Sequence, residues 1–389
     1  MTAHPAAARR DDAVERRGAT SPFAVSVNDG AARCGSLATA HGTVRTPAFM
    51  PVGTQGTVKG LTPAQLRDAG AEIILANAYH LALRPGTDLI RELGGLHRFM
   101  GWDGPILTDS GGYQIFSLAA LRTVTDQGVE FRSHLDGAPM FLTPEDVVRL
   151  QIDLGVDIIM VLDECAPGGT DRAEAARAAR RTLAWAERAR RVPVPEAQLV
   201  FAIVQGATFA DLRAEQAGAL VALDFPGYAV GGLSVGEPRE TTMAVAQETV
   251  TALPADRPRY LMGVGFPEDL IRFAGMGYDL FDCVLPTRNG RNGMLFTARG
   301  RLNIRLARYA RDPEPIDAEC TCYTCRTFSR AYLRHLAHSN EMLGAQLASL
   351  HNVHFYLHLM ADMRAAIAGG AFSDWARERV ARMTAGTDE

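Results

Sequence analysis

Three cysteines fall within six residues, as Cys320-x-Cys322-x₂-Cys325. Such spacing can bring three thiolates to one point, and structural zinc takes four ligands. The residues alone leave the fourth ligand open among His335, His338, His351, His354 and His358. A closed set of three Cys and one His has no open coordination position, so the expected Zn2+ is structural rather than catalytic. A second chemistry rests on carboxylates. Asp282 interrupts the apolar run Leu280-Phe281-Asp282-Cys283-Val284-Leu285. A carboxylate inside such a strand must be paired or have a job, and the bland reading is a buried Asp satisfied by Arg288 or Arg291. A third feature is a positive strip: Cys283 to Arg311 holds seven arginines and no acidic residue, in a chain of formal net charge −4. Arginine forks suit phosphates, whereas a merely solvated face ordinarily mixes its charges.

These residues need elements to position them. Short apolar strands are expected at Ala48–Val52, Ile73–Asn77, Ile106–Asp109, Ile158–Asp163, Leu199–Gln205, Tyr228–Gly231, Tyr260–Gly263 and Leu280–Leu285. Amphipathic helices lie between most of them, with entrances marked by Thr62-Pro63, Thr143-Pro144 and Pro267-Glu268-Asp269 and the longest over Asp171–Arg191. Eight strands with crossover helices predict an α/β fold, a (β/α)₈ TIM barrel, with a doubly wound sheet as the alternative. A β-hairpin is expected over the barrel mouth, from Val129–Arg132 and Met140–Leu142 around Asp136-Gly137. A small antiparallel unit precedes the barrel, beginning with the alternating Phe23–Val27. From Arg301 the pattern changes to the cysteine cluster and helices, one of them over His351–Ala368 with His351 at its start. The division expected is a disordered tail at 1–21, the barrel at 22–300, and a zinc-binding helical subdomain at 301–389.

Barrel chemistry sits where strands end and βα-loops begin. Asn77, Tyr79, His80, Asp109, Ser110, Asp163, Gln205 and Gly231-Gly232 all fall at such ends. One Asp there is ordinarily a helix cap. Three carboxylates and an amide converging on one rim call for another explanation.

Composition excludes several classes. With 47% hydrophobic and 22% charged residues the chain reads as an ordinary globular protein, and its apolar runs are too short for a membrane span. The acidic balance makes any RNA contact a local patch. The first residues lack a secretory apolar core, and six cysteines without one suit a reducing compartment, so the expectation is cytoplasmic.

From about Phe23 to the last helix the chain resembles the tRNA-guanine transglycosylases of bacterial type. The resemblance is carried by Gly56-Thr57-Val58-Lys59-Gly60, Thr108-Asp109-Ser110-Gly111-Gly112-Tyr113-Gln114, Asp163-Glu164-Cys165 and Tyr228-Ala229-Val230-Gly231-Gly232-Leu233. It continues through Tyr260-Leu261-Met262-Gly263-Val264-Gly265, Phe281-Asp282-Cys283-Val284-Leu285-Pro286-Thr287-Arg288 and the cysteine cluster. The resemblance implies that His351 completes the zinc set. It implies a catalytic pair, Asp282 as nucleophile on the ribose and Asp109 as general acid/base. It implies a base pocket of Ser110, Asp163, Gln205, Gly232 and Leu233, with Tyr113 and Met262 against the base faces, and RNA contacts from Arg288 and Arg291. The implied reaction exchanges guanine at the first anticodon position of tRNAs with a U-G-U loop for 7-aminomethyl-7-deazaguanine, in queuosine biosynthesis. Cys165 and Val235 leave room for the aminomethyl group, and the Leu233 carbonyl and Glu237 would receive its ammonium. Phe266 departs from the family pattern, which carries a polar residue or Lys there. A homodimer is implied too, with Phe99, Phe328, Tyr332 and His335 at interface positions.

Two other classes compete. A non-catalytic RNA-binding subunit of the same fold would not need Asp109, Asp282 and the pocket. A zinc-dependent barrel hydrolase would need His or carboxylate ligands at the mouth, and no such cluster is visible in the sequence.

Overall fold

The alternation of short apolar runs with amphipathic helices closes into a parallel barrel. The computed structural model describes residues 21–112 and 122–386. Apart from Ser21, the expected tail at 1–21 lies outside the described residues. An antiparallel sheet comes first, β1 (Phe23–Asp29), β2 (Ala32–Thr39) and β3 (Gly42–Thr46). The barrel begins with β4 (Ala48–Gly53), β5 (Ile74–Asn77) and β6 (Ile106–Asp109). A second antiparallel sheet follows, β7 (Arg122–Val124), β8 (Val129–Arg132) and β9 (Pro139–Leu142). The barrel resumes with β10 (Ile158–Met160), β11 (Leu199–Val204), β12 (Gly227–Val230), β13 (Arg259–Leu261) and β14 (Leu280–Cys283). These eight strands close in the order β10-β11-β12-β13-β14-β4-β5-β6. β5 and β12 are buried at every position, which is why they read as unbroken apolar runs instead of alternating ones.

The helix entrances behave as their sequences require. Thr62 and Thr143 form reciprocal capping boxes with Gln65 and Asp146, each with Pro in the first turn. Asp171 caps Arg172–Ala189 by accepting from the Glu174 amide. The doubly wound alternative is excluded by the closure of β6 onto β10.

Several expectations need correction. The inserted hairpin has a third strand, β7, paired to β8, and its Tyr79–Phe131 ring contact ties this sheet to the end of β5. The fourth barrel strand stops at Met160 and the eighth at Cys283, so Asp163 lies in a loop and Leu285 already starts a helix. The C-terminal helix begins at Met342, and a further helix, Phe372–Ala385, follows it. His351 is therefore interior to its helix. That helix is buried on nearly all sides, so no polar stripe marks its start, and Glu341 makes no side-chain cap. A hairpin of β15 (Met294–Thr297) and β16 (Gly300–Asn303) went unread in the sequence.

The N-terminal sheet covers the closed end of the barrel. Arg33 (β2) bonds both oxygens of the fully buried Asp279, just before β14, and the carbonyls of Ala255 and Arg257. In the β2–β3 turn, His41 reaches Asp157, just before β10. The 342–368 helix joins the barrel's own hydrophobic core through Val353, Tyr356 and Met360, while a smaller core of Leu295, Ile316, Leu333 and Leu347 packs beside the cysteines. No described helix is long and apolar enough to cross a membrane.

Candidate active site and metal centre

β14 carries Asp282 to the open end of the barrel. Neither Arg288 nor Arg291 satisfies it. The Tyr260 hydroxyl (2.6 Å) and the Gly263 amide (2.8 Å) both donate to its Oδ1. Burial pushes the Asp282 carboxyl up, and these two hydrogen bonds oppose that. The Tyr260 phenol is itself held well above its usual range by burial, then by the charge of Asp282, with Asp109 adding to it. Oδ2 takes no hydrogen bond from the described residues, so one oxygen is anchored and the other is unclaimed.

Asp109 ends β6, in register with Asn77 at the end of β5. The Asn77 amide donates to Oδ2 (2.7 Å), and the Ala78 N–H donates to Oδ1 at 3.3 Å. Asn77 also caps the helix Ala78–Leu83 by accepting from the His80 amide, so one side chain ends a strand, starts a helix and orients a carboxylate.

Asp163, Ser110 and Gln205 form one buried group. Ser110 donates to Asp163 Oδ1 at 3.1 Å, and Gln205 Nε2 donates to Oδ2 at 2.6 Å. The Gln205 Oε1 is buried with no partner among the described residues, an unusual state that a ligand donor would relieve. Burial pushes the Asp163 carboxyl up to about 6, despite those two donors. Two glycines make the space. A Cβ on Gly112 would lie 2.7 Å from Asp163 Oδ1, and one on Gly232 would lie 2.2 Å from Gln205 Oε1. Gly232 also has φ +66°, which other residues rarely adopt.

The remaining expected residues lie in several other loops and helices. Leu233 follows Gly232 and is buried, and Met262 follows β13, partly buried against the core. Tyr113 lies outside the described residues. Cys165 is two residues beyond Asp163, and burial pushes its thiol up to about 12. Glu237 accepts from the Ser234 and Val235 amides and from Thr242, so its carboxylate shapes the loop after Gly232, and its charge still acts on Cys165. Arg288 and Arg291 lie in the Leu285–Arg291 helix directly after Asp282, and Arg291 Nη1 is buried without a partner among the described residues. Phe266 is exposed, with the Arg301 guanidinium 4.9 Å from its ring centre. Phe99, Tyr332 and His335 are exposed, so core packing does not explain them, whereas Phe328 packs partly against the smaller core and stacks on Tyr332 at 5.4 Å.

The metal centre assembles as the cysteine spacing requires. His351 Nδ1 faces all three sulfurs, 3.6 Å from Cys320 and Cys322 and 3.3 Å from Cys325. A tetrahedron with zinc–ligand distances of about 2.0–2.3 Å has edges of roughly 3.6 Å, so the donor set fits a four-coordinate ion. On the other side of the ring, Nε2 lies 2.7 Å from the Phe296 carbonyl. That carbonyl keeps the proton on Nε2 and leaves the Nδ1 lone pair for the metal. His335, His338 and His358 are not part of this group, and His354 lies at its margin, 3.7 Å from Cys320. The next residue, Asn352, bridges the Phe296 amide and the carbonyls of Pro286 and Met294. The metal-bearing helix is thereby tied to the helix that leaves Asp282. No described residues form a metal-binding group at the mouth; the other candidate, His41, His97 and Asp157, is at the closed end.

Sequence reading missed Arg213, Tyr260 and the second role of Asn77. Asp211-Leu212-Arg213-Ala214-Glu215 reads as a solvated helix face, yet Arg213 is fully buried behind Gly231 and Gly232. Tyr260 looked like one more apolar strand residue.

Comparison with known proteins agrees with this architecture. The family described as Queuine tRNA-ribosyltransferase matches residues 29–385. A protein of that name from Desulforamulus reducens is 55% identical over 336 residues, 86% of this chain and 91% of that one. One from Symbiobacterium thermophilum is 54% identical over 360 residues, covering 92% and 90% of the two chains. One from Pelotomaculum thermopropionicum is 56% identical over 339 residues, covering 87% and 92%.

Proposed function

Since the chain belongs to the queuine tRNA-ribosyltransferase family and is thus a pentosyltransferase, we propose that it exchanges a guanine of the tRNA anticodon loop for 7-aminomethyl-7-deazaguanine by double displacement at Asp282. The observation that carries this reading is the asymmetry of the Asp282 carboxylate, with Oδ1 held by two donors and Oδ2 unclaimed. Oδ2 attacks the ribose C1′ as the bond from C1′ to guanine N9 breaks, leaving a ribosyl ester. Burial, which raises the basicity of this carboxylate, favours attack. Asp109 acts as general acid/base: it supplies a proton to the departing guanine and takes the N9 proton of the incoming base. That nitrogen then attacks C1′ and releases Asp282. The scheme is that of a retaining glycosidase with a base in place of water. Water must be kept out, because hydrolysis of the ester would leave an abasic tRNA.

The pocket supports a purine. Asp163 accepts from the N1–H and 2-amino donors, and Gln205 Nε2, with the proton it does not give to Asp163, joins the Gly232 amide in donating to the 6-oxo oxygen. Met262 supplies a polarisable face, and Tyr113 is assigned the other. Cys165 and Val235 are small enough to admit an aminomethyl substituent, with the Leu233 carbonyl and Glu237 as its acceptors. Arg288 and Arg291 hold loop nucleotides flanking the exchanged base in the U-G-U sequence. Cys320, Cys322, Cys325 and His351 would hold a structural Zn2+, which supplies folding energy and takes no part in the chemistry. Phe99, Phe328, Tyr332 and His335 are assigned to a homodimer interface, and the enzyme works in the cytoplasm.

Labelled guanine exchange into unmodified tRNA tests the reaction. Wild type should incorporate label and Asp282→Asn should lose at least about 10³-fold; equal incorporation by both would remove the nucleophile. Competition between the aminomethyl base and queuine then decides the substrate. Chelation should release one zinc per chain and lower the unfolding temperature of the region around Cys320–Cys325. Instant loss of exchange from a chain still fully folded would instead make the metal catalytic.

A further inference from the structure

Arg213, on the helix Ala210–Ala222, is fully buried, and no carboxylate pairs with it among the described residues. Its guanidinium is surrounded by backbone carbonyls. Nε donates to Ala207 O (2.6 Å), Nη2 to Gly231 O (2.9 Å) and Gly232 O (3.2 Å), and Nη1 lies 3.4 Å from Val204 O. Burial lowers its pKa to about 10, so the charge persists at neutral pH. Removing it would orphan those buried carbonyls at a cost to stability. The same contacts also fix how two turns present their backbone, which gives this cation a reason beyond stability.

The reason lies in what the carbonyls force on the amides. A trans peptide is planar, and its C=O and N–H point in opposite directions. With Gly231 O drawn to Arg213, the Gly232 N–H faces away from it; with Gly232 O drawn there too, so does the Leu233 N–H. Neither N–H donates a hydrogen bond among the described residues. The buried acceptor Gln205 Oε1, also unpartnered, stands beside Gly232. The same guanidinium holds Ala207, whose φ of 49° is unusual for a residue other than glycine, in the turn just after Gln205.

We propose that Arg213 is a positioning residue of the base pocket: it locks the turn after Gln205 against Gly231-Gly232 and aims the Gly232 and Leu233 amides at the 6-oxo acceptor of the purine. This rests on the reading of the Asp163–Gln205 group as a purine site. Arg213 touches no substrate and works only through these two turns.

The test uses full-length Arg213→Met and Arg213→Lys in tRNA exchange, with guanine and 6-thioguanine as competing bases. 6-Thioguanine keeps the N1–H and 2-amino donors but offers a weaker sulfur acceptor. Wild type should prefer guanine. In Arg213→Met the KM for guanine should rise about tenfold or more, the KM for tRNA should hold, and the preference over 6-thioguanine should shrink. Arg213→Lys, which keeps the charge but not the fork, should fall between, and it provides the same comparison if the Met variant does not fold. An unchanged guanine KM, or equal losses for both bases, would overturn the proposal. If wild type itself fails to distinguish the two bases, the 6-oxo contact, and with it the reading of the pocket, is what fails.

Discussion

Asp157 and Asp163 flank β10, one at the closed end of the barrel and one at the mouth, and both are buried. Their carboxyls are pushed in opposite directions. Burial acts upward on each, but hydrogen bonds from His97, the Ile106 amide and His41 bring Asp157 down to about 2. With only the Gln205 and Ser110 side chains as leading donors, Asp163 stays up at about 6. Asp163 lies deeper among protein atoms, and the supply of donors widens the difference. The closed end is saturated, with His41 and His97 stacked at 3.6 Å and each bonded to its own oxygen of Asp157. The mouth keeps a raised carboxyl beside an orphan amide oxygen. The carboxylate at the closed end is completed by its own chain, whereas the one at the mouth is left short of donors, as the proposed base pocket requires.

The sharpest way to break this comparison is to remove each carboxylate and ask what is lost. Asp163→Asn should lower kcat/KM for guanine exchange by at least about 10²-fold, because the base donors lose their acceptor. Its urea midpoint above pH 6 should stay level or rise. Asp157→Ala should do the reverse. Four donations, one of them fully buried, lose their acceptor, so stability should fall by about 3 kcal/mol in urea titrations, with exchange per folded molecule near wild type. A variant pair that lost stability and activity in equal measure would dissolve the distinction between the two ends.

Titration sharpens it with a smaller effect. The folded pKa of Asp157 is depressed, so its contribution is present above the ordinary 3.8 and lost as pH falls towards about 2. The folded pKa of Asp163 is raised, so its contribution is present below 3.8 and lost as pH rises through about 6. Each contribution is on the order of 2 kcal/mol. Unfolding titrations of Asp157→Asn should lack the acid-side loss, and those of Asp163→Asn the loss between pH 4 and 6. The KM for guanine should also rise in wild type as pH drops below about 6. The smallest effect belongs to His41→Ala. Its ring is 39% exposed, so about 1 kcal/mol or less is expected.

The barrel was legible because all eight of its strands are short apolar runs with helix signals between them, and Thr62-Pro63 and Thr143-Pro144 formed the caps they advertise. The cysteine spacing revealed the metal centre for the same local reason, three ligands in one turn of chain. What stayed hidden depended on partners far away in sequence. Nothing around Arg213 distinguishes it from Arg172 or Arg177 on a neighbouring solvated face, until its contacts with Gly231 and Gly232 are seen. The start of the 342–368 helix was lost because it is packed on many sides and carries no stripe.

By itself, then, the sequence determined the barrel, the kinds of groups at its rim and three of the four metal ligands, since periodicity, capping and close spacing are properties of neighbouring residues. Only the tertiary structure decided which carboxylates are saturated and which are left open. It anchored Asp282 on Tyr260 and Gly263 instead of an arginine, and it turned a surface-like Arg213 inward. A carboxylate's protonation and reactivity are set by the donors and low-dielectric surroundings that other segments bring to it, and that supply exists only once the chain has folded.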